Sequence, residues 1–393
     1  MAEALEQKTV EVDEARHSPL EDAHRRAGAS LREEDGCVVP ANFGDAGDEY
    51  GAVRGGGAGL FDLSGRGRVE VSGAEAVQFL NGMLTNDVAG LEEGAWMHAA
   101  FPNPQGRLLA SVRVLRDGAR FLFDTEPASY APLLKLLERF TLAGDFRVRD
   151  LTDKTALVSL QGARAAEIAA VALGGDAVAR IGRGRVAIAL AAWGREPLRV
   201  IRATHTSEDG FDLFVDAEKA EYLWDALVAA GARPAGFDAL EVLRVEAGLP
   251  RYGVDASDSN VVLEVVDESE AVSYTKGCYA GQEIIARIHW RGHVAKRLTG
   301  VVFERDAEPT PESRLRDCAE GREAGRVTSV VYSPQLGRRV ALALVKYDFL
   351  APGTELKVFD GDAEVCAAHV AALPLVRGSW YTDEGEAGAG EAG

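Results

Sequence analysis

Apolar and polar positions along this chain change their period again and again. In GRGRVEVSG (65–73) they alternate as in a short strand. In the next segment Ala76, Phe79, Leu80, Met83 and Leu84 recur at helical spacing, with Ser72 as a candidate N-cap. LLASVRVLRDGARFLFDTE (108–126) predicts two strands around an Asp117-Gly118 turn, and APLLKLLERFTLAG (131–144) an amphipathic helix. Strand, helix, hairpin, helix is the order of an α+β fold with helices packed on one face of an antiparallel sheet. A second round follows. TALVSLQG, RVAIALAA, PLRVIRAT and GFDLFVD are strand-like, and ARAAEIAAVAL and AEKAEYLWDALVAAG are helical.

From about Lys296 the texture changes to short alternating runs, RLTGVVFE, AGRVTSVVYS, RRVALALVK and TELKVFD, separated by Gly, Pro and Asp. That pattern predicts an all-β barrel or sandwich. The expected organisation is therefore a disordered lead-in over 1–16, an α+β region of two subdomains over 17–295, a β-domain over 296–380, and a low-complexity Gly/Ala/Glu tail over 381–393.

Composition narrows the classes. Of 393 residues 47% are hydrophobic and 27% charged, as in globular domains, and no run reaches the ~18 apolar residues of a membrane helix. The N-terminus has no signal-peptide layout, which points to a cytoplasmic protein. Four scattered cysteines show no metal-ligand spacing, so no metal site is expected. His289 and His293 are four apart, but Gly292 ends the helix that would align them. The net charge of -19 makes direct nucleic-acid binding an unexpected role. Against it stands a basic island, Lys276, Arg287, Arg291, Lys296 and Arg297, with Glu283 its one acid. It suits either an anionic partner or a solvated helix face.

Three segments offer chemistry. In SEDGFDLFV, Glu208 and Asp209 precede a glycine and a strand; a carboxylate there can accept two N–H donors of a heterocycle, or simply form an acidic turn. In ALEVLRVEAGLPRYG, Leu240, Leu243 and Ala247 form an apolar helical stripe with Arg244 off it, free to face a cleft or to make a salt bridge. In KGCYAGQE, Cys278 lies between Gly277 and Gly281, ahead of a helix predicted from about Ala280 to Arg291. A helix N-terminus with Lys276 and Arg287 close by favours a thiolate, although a lone cysteine is also a common inert filler. FPNPQGRLLAS reads as a structural turn entering a strand.

Together GLFDLSGRGRVEVSG, FLNGMLTNDV, SEDGFDL, LRVEAGLPRYG and GRVTSVVYSPQLGRRVALALV resemble the folate-binding YgfZ/GcvT superfamily, from about Ser18 to Leu375. This superfamily holds the glycine-cleavage aminomethyltransferase, related demethylases and YgfZ-type iron-sulfur maturation factors. KGCYAGQE (Lys276, Gly277, Cys278, Tyr279, Ala280, Gly281, Gln282, Glu283) is similar to the signature of the YgfZ-type branch. The resemblance implies three domains around a funnel for tetrahydrofolate or a derivative, with a C-terminal antiparallel barrel. It assigns Glu208 to the pterin ring, Arg244 to the same site and Cys278 to a reactive thiol. The partners it implies are iron-sulfur client enzymes, tRNA-thiolating ones among them, or assembly factors. Two positions depart from the aminomethyltransferase pattern. The expected aspartate pair reads Ala110-Ser111, which argues against that activity, and a tyrosine is replaced by His205.

Overall fold

The computed structural model describes residues 15–141, 144–175, 181, 187–190, 197–304 and 307–381. The predicted lead-in and tail fall outside these, with two corrections at their edges. Arg16 already pairs in a strand, and Tyr381 closes a last helical turn, Ser379–Tyr381.

Along the chain come β1 (Arg16–His17), α1 (Glu21–Arg26), β2 (Ser30–Glu34), β3 (Cys37–Asn42), α2 (Ala46–Arg54), β4 (Gly59–Asp62), β5 (Gly67–Ser72) and α3 (Ala76–Met83). Then follow β6 (Trp96–Pro102), β7 (Leu108–Asp117), β8 (Arg120–Thr125), α4 (Pro127–Phe140), β9 (Arg147–Asp150), β10 (Thr155–Gln161) and α5 (Ala165–Leu173). The second round continues with β11 (Ala187–Leu190), β12 (Leu198–Arg202), β13 (Gly210–Asp216), α6 (Ala220–Ala229), β14 (Arg233–Pro234) and α7 (Phe237–Ala247). Two short turns, α8 (Val262–Val265) and α9 (Glu268–Ala271), lead to α10 (Gln282–Arg291). Last come β15 (Lys296–Phe303), β16 (Arg314–Asp317), β17 (Glu323–Ser333), β18 (Arg338–Lys346), β19 (Glu355–Asp360) and β20 (Ala363–Ala371). Ser72 is the last residue of β5 rather than a cap; Glu75 precedes α3 and makes no side-chain cap.

The fold is the expected α+β arrangement. One sheet runs β11-β12-β13-β10-β4-β14, a second β6-β7-β8-β5-β9, and β15-β18-β17-β16-β19-β20 close into an antiparallel barrel with no free edge. A small sheet, β1-β3-β2, precedes them, and the linear pattern does not suggest it. Each large sheet covers one face with helices. Leu80 and Leu84 from the α3 segment, with Leu133 and Leu137 of α4, pack on Val69, Val112 and Phe123. Each such leucine contributes roughly 2 kcal/mol. On the other large sheet, Ile168 of α5 with Leu223 and Trp224 of α6 packs on Val158 and Leu213.

The opposite faces of the two sheets turn toward each other. Trp96 and Leu115 of one meet Ile201 and Ala203 of the other. Strand alternation therefore sends Val112 and Val114 into the helical core but Arg113 and Leu115 into the gap between the sheets. The same rule aims Asp124 of β8 and Asp212 of β13 there.

Candidate functional site

A chain of ion pairs crosses that gap. Arg113 grips Asp124 through two parallel bonds, Nε to Oδ1 at 2.7 Å and Nη2 to Oδ2 at 2.9 Å, and its Nη1 reaches across to Asp212. Arg66, between β4 and β5, donates to the same Asp124 at 2.6 Å and to Glu126. At the other end His205, on the loop between β12 and β13, is 2.8 Å from Asp212 through Nε2. Burial alone would raise the Asp124 carboxyl, but Arg113 and Arg66 outweigh it and hold it at about 2. Asp212 is likewise held low against its burial, by His205 and Arg113.

Cavities lie on both sides of this chain. The larger, about 490 Å³, is lined by Arg113 and Asp124 together with Arg68, Trp96, Leu122 and Phe214. The smaller, about 100 Å³, is lined by His205, Arg66, Cys37, Phe237, Glu241 and Arg244. Arg68 is enclosed among carbonyl oxygens of Ser64, Thr152 and Thr155, and burial lowers it to about 10.

Arg244 sits on α7 off the apolar stripe, as the spacing suggests. Its guanidinium is buried, and it binds Glu241, Asp255 at 2.7 Å, Ser329 Oγ at 2.8 Å and the Leu249 carbonyl. Burial opposes its charge, but Asp255 and Glu241 outweigh this and raise it. Arg244 thus both lines the small cavity and ties α7 to the barrel.

Glu208 does not line that cavity. Arg54 donates to its Oε1 at 2.8 Å, and the backbone N–H and hydroxyl of Ser379 donate to Oε2 at 2.8 and 2.6 Å. Arg54 also holds Glu246, which is fully buried and accepts from Tyr50 and Ser333. The C-terminal strap therefore lies against the carboxylate, and a Cβ at Gly378 would collide with it. Asp209 faces away, paired with Arg202 at 2.6 Å. Ala110 is in the helical core, and the Ser111 carbonyl accepts from Thr125.

KGCYAGQE forms a clamped loop. Lys276 Nζ donates to the carbonyls of Asn81, Leu84 and Asn86 at the end of α3, at 2.6 to 2.8 Å. Burial lowers it to about 8, so it remains charged at neutral pH and spends that charge on α3. Tyr279 is buried, which raises its phenol to about 12. Gly281, at φ +76°, packs on the Asn103 carbonyl of the FPNPQG turn. α10 begins at Gln282 with Glu283 in its first turn, two residues later than expected, and Cys278 is exposed ahead of the capping residue. Lys276 is thus engaged elsewhere than the thiol. His289 binds Glu268 and stacks on Tyr274, and His293 stacks on Tyr347; both line a cavity of about 170 Å³, each engaged with its own partner.

A family model described as the GCVT N-terminal domain matches residues 20–266, and the glycine cleavage T-protein C-terminal barrel domain matches 296–376. The chain belongs to the glycine cleavage T-protein family. Two aminomethyltransferases are among its relatives. That of Rubrobacter xylanophilus is 34% identical over 330 residues, 84% of this chain and 87% of its own. That of a Thermus thermophilus strain is 35% identical over 332 residues, 84% and 91%. The crystal structure of the glycine cleavage system aminomethyltransferase T from Bartonella henselae superposes with a TM-score of 0.82 at 24% identity, covering 92% of this chain and 98% of that one. It shows the shared fold. The T-protein relatives carry the name aminomethyltransferase, so the YgfZ branch suggested by KGCYAGQE is not selected by them. No helix among the described residues is long and apolar enough to cross a membrane.

Nothing in the linear pattern singles out Arg66, Arg113, Asp124 or Asp212. The available signal was a single charge on the alternating face of SVRVL (111–115) and of FLFD (121–124), in strands whose other face is strongly apolar. A solvated sheet face reads the same way.

Proposed function

We propose that this protein is a tetrahydrofolate-dependent one-carbon transferase of the aminomethyltransferase type. One observation carries the reading: relatives of that name align at 34 to 35% identity over 84% of the chain. The cofactor is tetrahydrofolate or a derivative. Glu208 accepts pterin N–H donors with its two oxygens once Ser379 releases it, and Arg244 lines the small cavity beyond it, beside His205. The loss of the aspartate pair at Ala110 and Ser111 does not bear on binding; it bears on where the reaction's proton goes.

Calorimetry with tetrahydrofolate and single-turnover assays with an aminomethyl donor test this. We expect binding by the wild type, a loss of at least about tenfold in Glu208→Gln from the missing charge-assisted bonds, and ligand-dependent donor consumption. Wild-type protein that binds no tetrahydrofolate overturns the reading.

A second reading is favoured by the exposed thiol of Cys278 on an otherwise pinned loop. It is a folate-binding accessory role in assembly or repair of iron-sulfur clusters, with client enzymes or assembly factors as partners and Cys278 as the reacting group. Cys278→Ser separates the two readings. Unchanged aminomethyl transfer with lost support of cluster enzymes favours the accessory role, and full retention of both excludes a role for the thiol.

A further inference from the structure

The ion-pair chain across the gap is one positive charge short. It contains the carboxylates of Glu126, Asp124 and Asp212 but only the guanidiniums of Arg66 and Arg113, and the group at its open end is the His205 imidazole. Asp212 has no exposed side-chain surface and accepts from His205, so the hydrogen of a neutral ring sits on Nε2. Nδ1 is left without a protein hydrogen-bond partner among the described residues, on a side chain that is 20% exposed and lines the small cavity beside Arg244. A histidine oriented by a buried carboxylate, with its second nitrogen unpartnered and its ring on a cavity wall, has the arrangement of a general base. The charged groups around it are Asp212 on β13, Arg113 on β7 beyond that, Arg66 and Glu126 beside β5 and β8, and Glu34, Asp35, Glu241, Arg244 and Arg251 around the cavity. The neighbouring Glu208 and Asp209 are occupied by Arg54 and Arg202.

We propose that His205 is the proton acceptor of the transfer step, in place of the aspartate pair replaced by Ala110 and Ser111, with Asp212 as its positioning residue; this rests on the tetrahydrofolate reading above. The secondary amine nitrogen of the reduced pteridine attacks the methylene carbon of the donor, and an N–C bond forms. The bond from that carbon to its leaving group breaks, and the electron pair departs with the leaving group. The proton of the attacking nitrogen passes to Nδ1 of His205. Solvent later removes the proton from the imidazolium.

The test compares wild type, His205→Gln and His205→Ala by tetrahydrofolate calorimetry and by single-turnover rate against pH. The wild-type rate should rise with pH along a one-proton limb. His205→Gln should bind tetrahydrofolate within about twofold, lose about 100-fold in rate and flatten that limb. Added imidazole should restore part of the rate to His205→Ala, which a merely structural loss would not permit. A His205→Gln protein with wild-type rate and limb overturns this inference and leaves the function standing. A wild type that binds no tetrahydrofolate overturns both, and one that binds it but transfers nothing overturns the transfer step.

Discussion

Asp124 shows how buried charge is organised in this molecule. Two arginines from different segments converge on one carboxylate, and neither guanidinium could be buried there alone without a cost of several kcal/mol. The sign of its effect on stability follows from its depressed value. The stabilisation is fully present above the unfolded value of 3.8 and is lost as pH falls through about 2. A shift of this size is worth about 2 kcal/mol. Urea titrations should therefore show stability falling between about pH 4 and about pH 2. Asp124→Asn should lack that part of the slope while being less stable at neutral pH; an unchanged acid slope in the variant would count against the assignment. Arg113 and Asp124 were hidden in the sequence because a charge on the alternating face of a strand normally faces water.

At the scale of elements, KGCYAGQE is a joint as much as a candidate reactive loop. Lys276 caps α3, Tyr279 enters the core, and Gly281 starts α10 against the Asn103 turn, so three distant segments meet in this one motif. The two glycines of the motif should differ sharply. Gly277 has open space around it, whereas Gly281 has φ +76° and would drive a Cβ into backbone. Gly277→Ala should stay within about 0.5 kcal/mol of wild type. Gly281→Ala should cost at least about 1–2 kcal/mol from its left-handed backbone alone, before the clash is counted. Thermal unfolding of both variants checks this, and equal melting temperatures would contradict it. The predicted strands and helices were legible where one face is apolar. The helix start was misread by two residues because Ala280 suits a helix locally, and only the packing of Gly281 on Asn103 delays it.

In the whole molecule Arg244 couples the barrel to the α+β region. Through Asp255 and Ser329 it ties α7 to β17, and Thr328 shares Asp255. Arg244→Leu leaves Asp255 without its guanidinium and should cost about 3–5 kcal/mol. Hydrogen exchange should then show β15 to β20 opening before the two large sheets, where the wild type protects them together. Uniform protection in the variant would exclude this coupling. What the sequence determined by itself was the series of elements, the α+β class, the change to a barrel near Lys296 and the family, because period and motif are local. Only the tertiary structure decided that the helix-free faces of two sheets meet, that Lys276 serves α3, that Ser379 covers Glu208 and that His205 ends a buried chain of charge. Each of these pairs groups far apart in sequence, and their chemistry comes from burial and proximity that no local pattern contains.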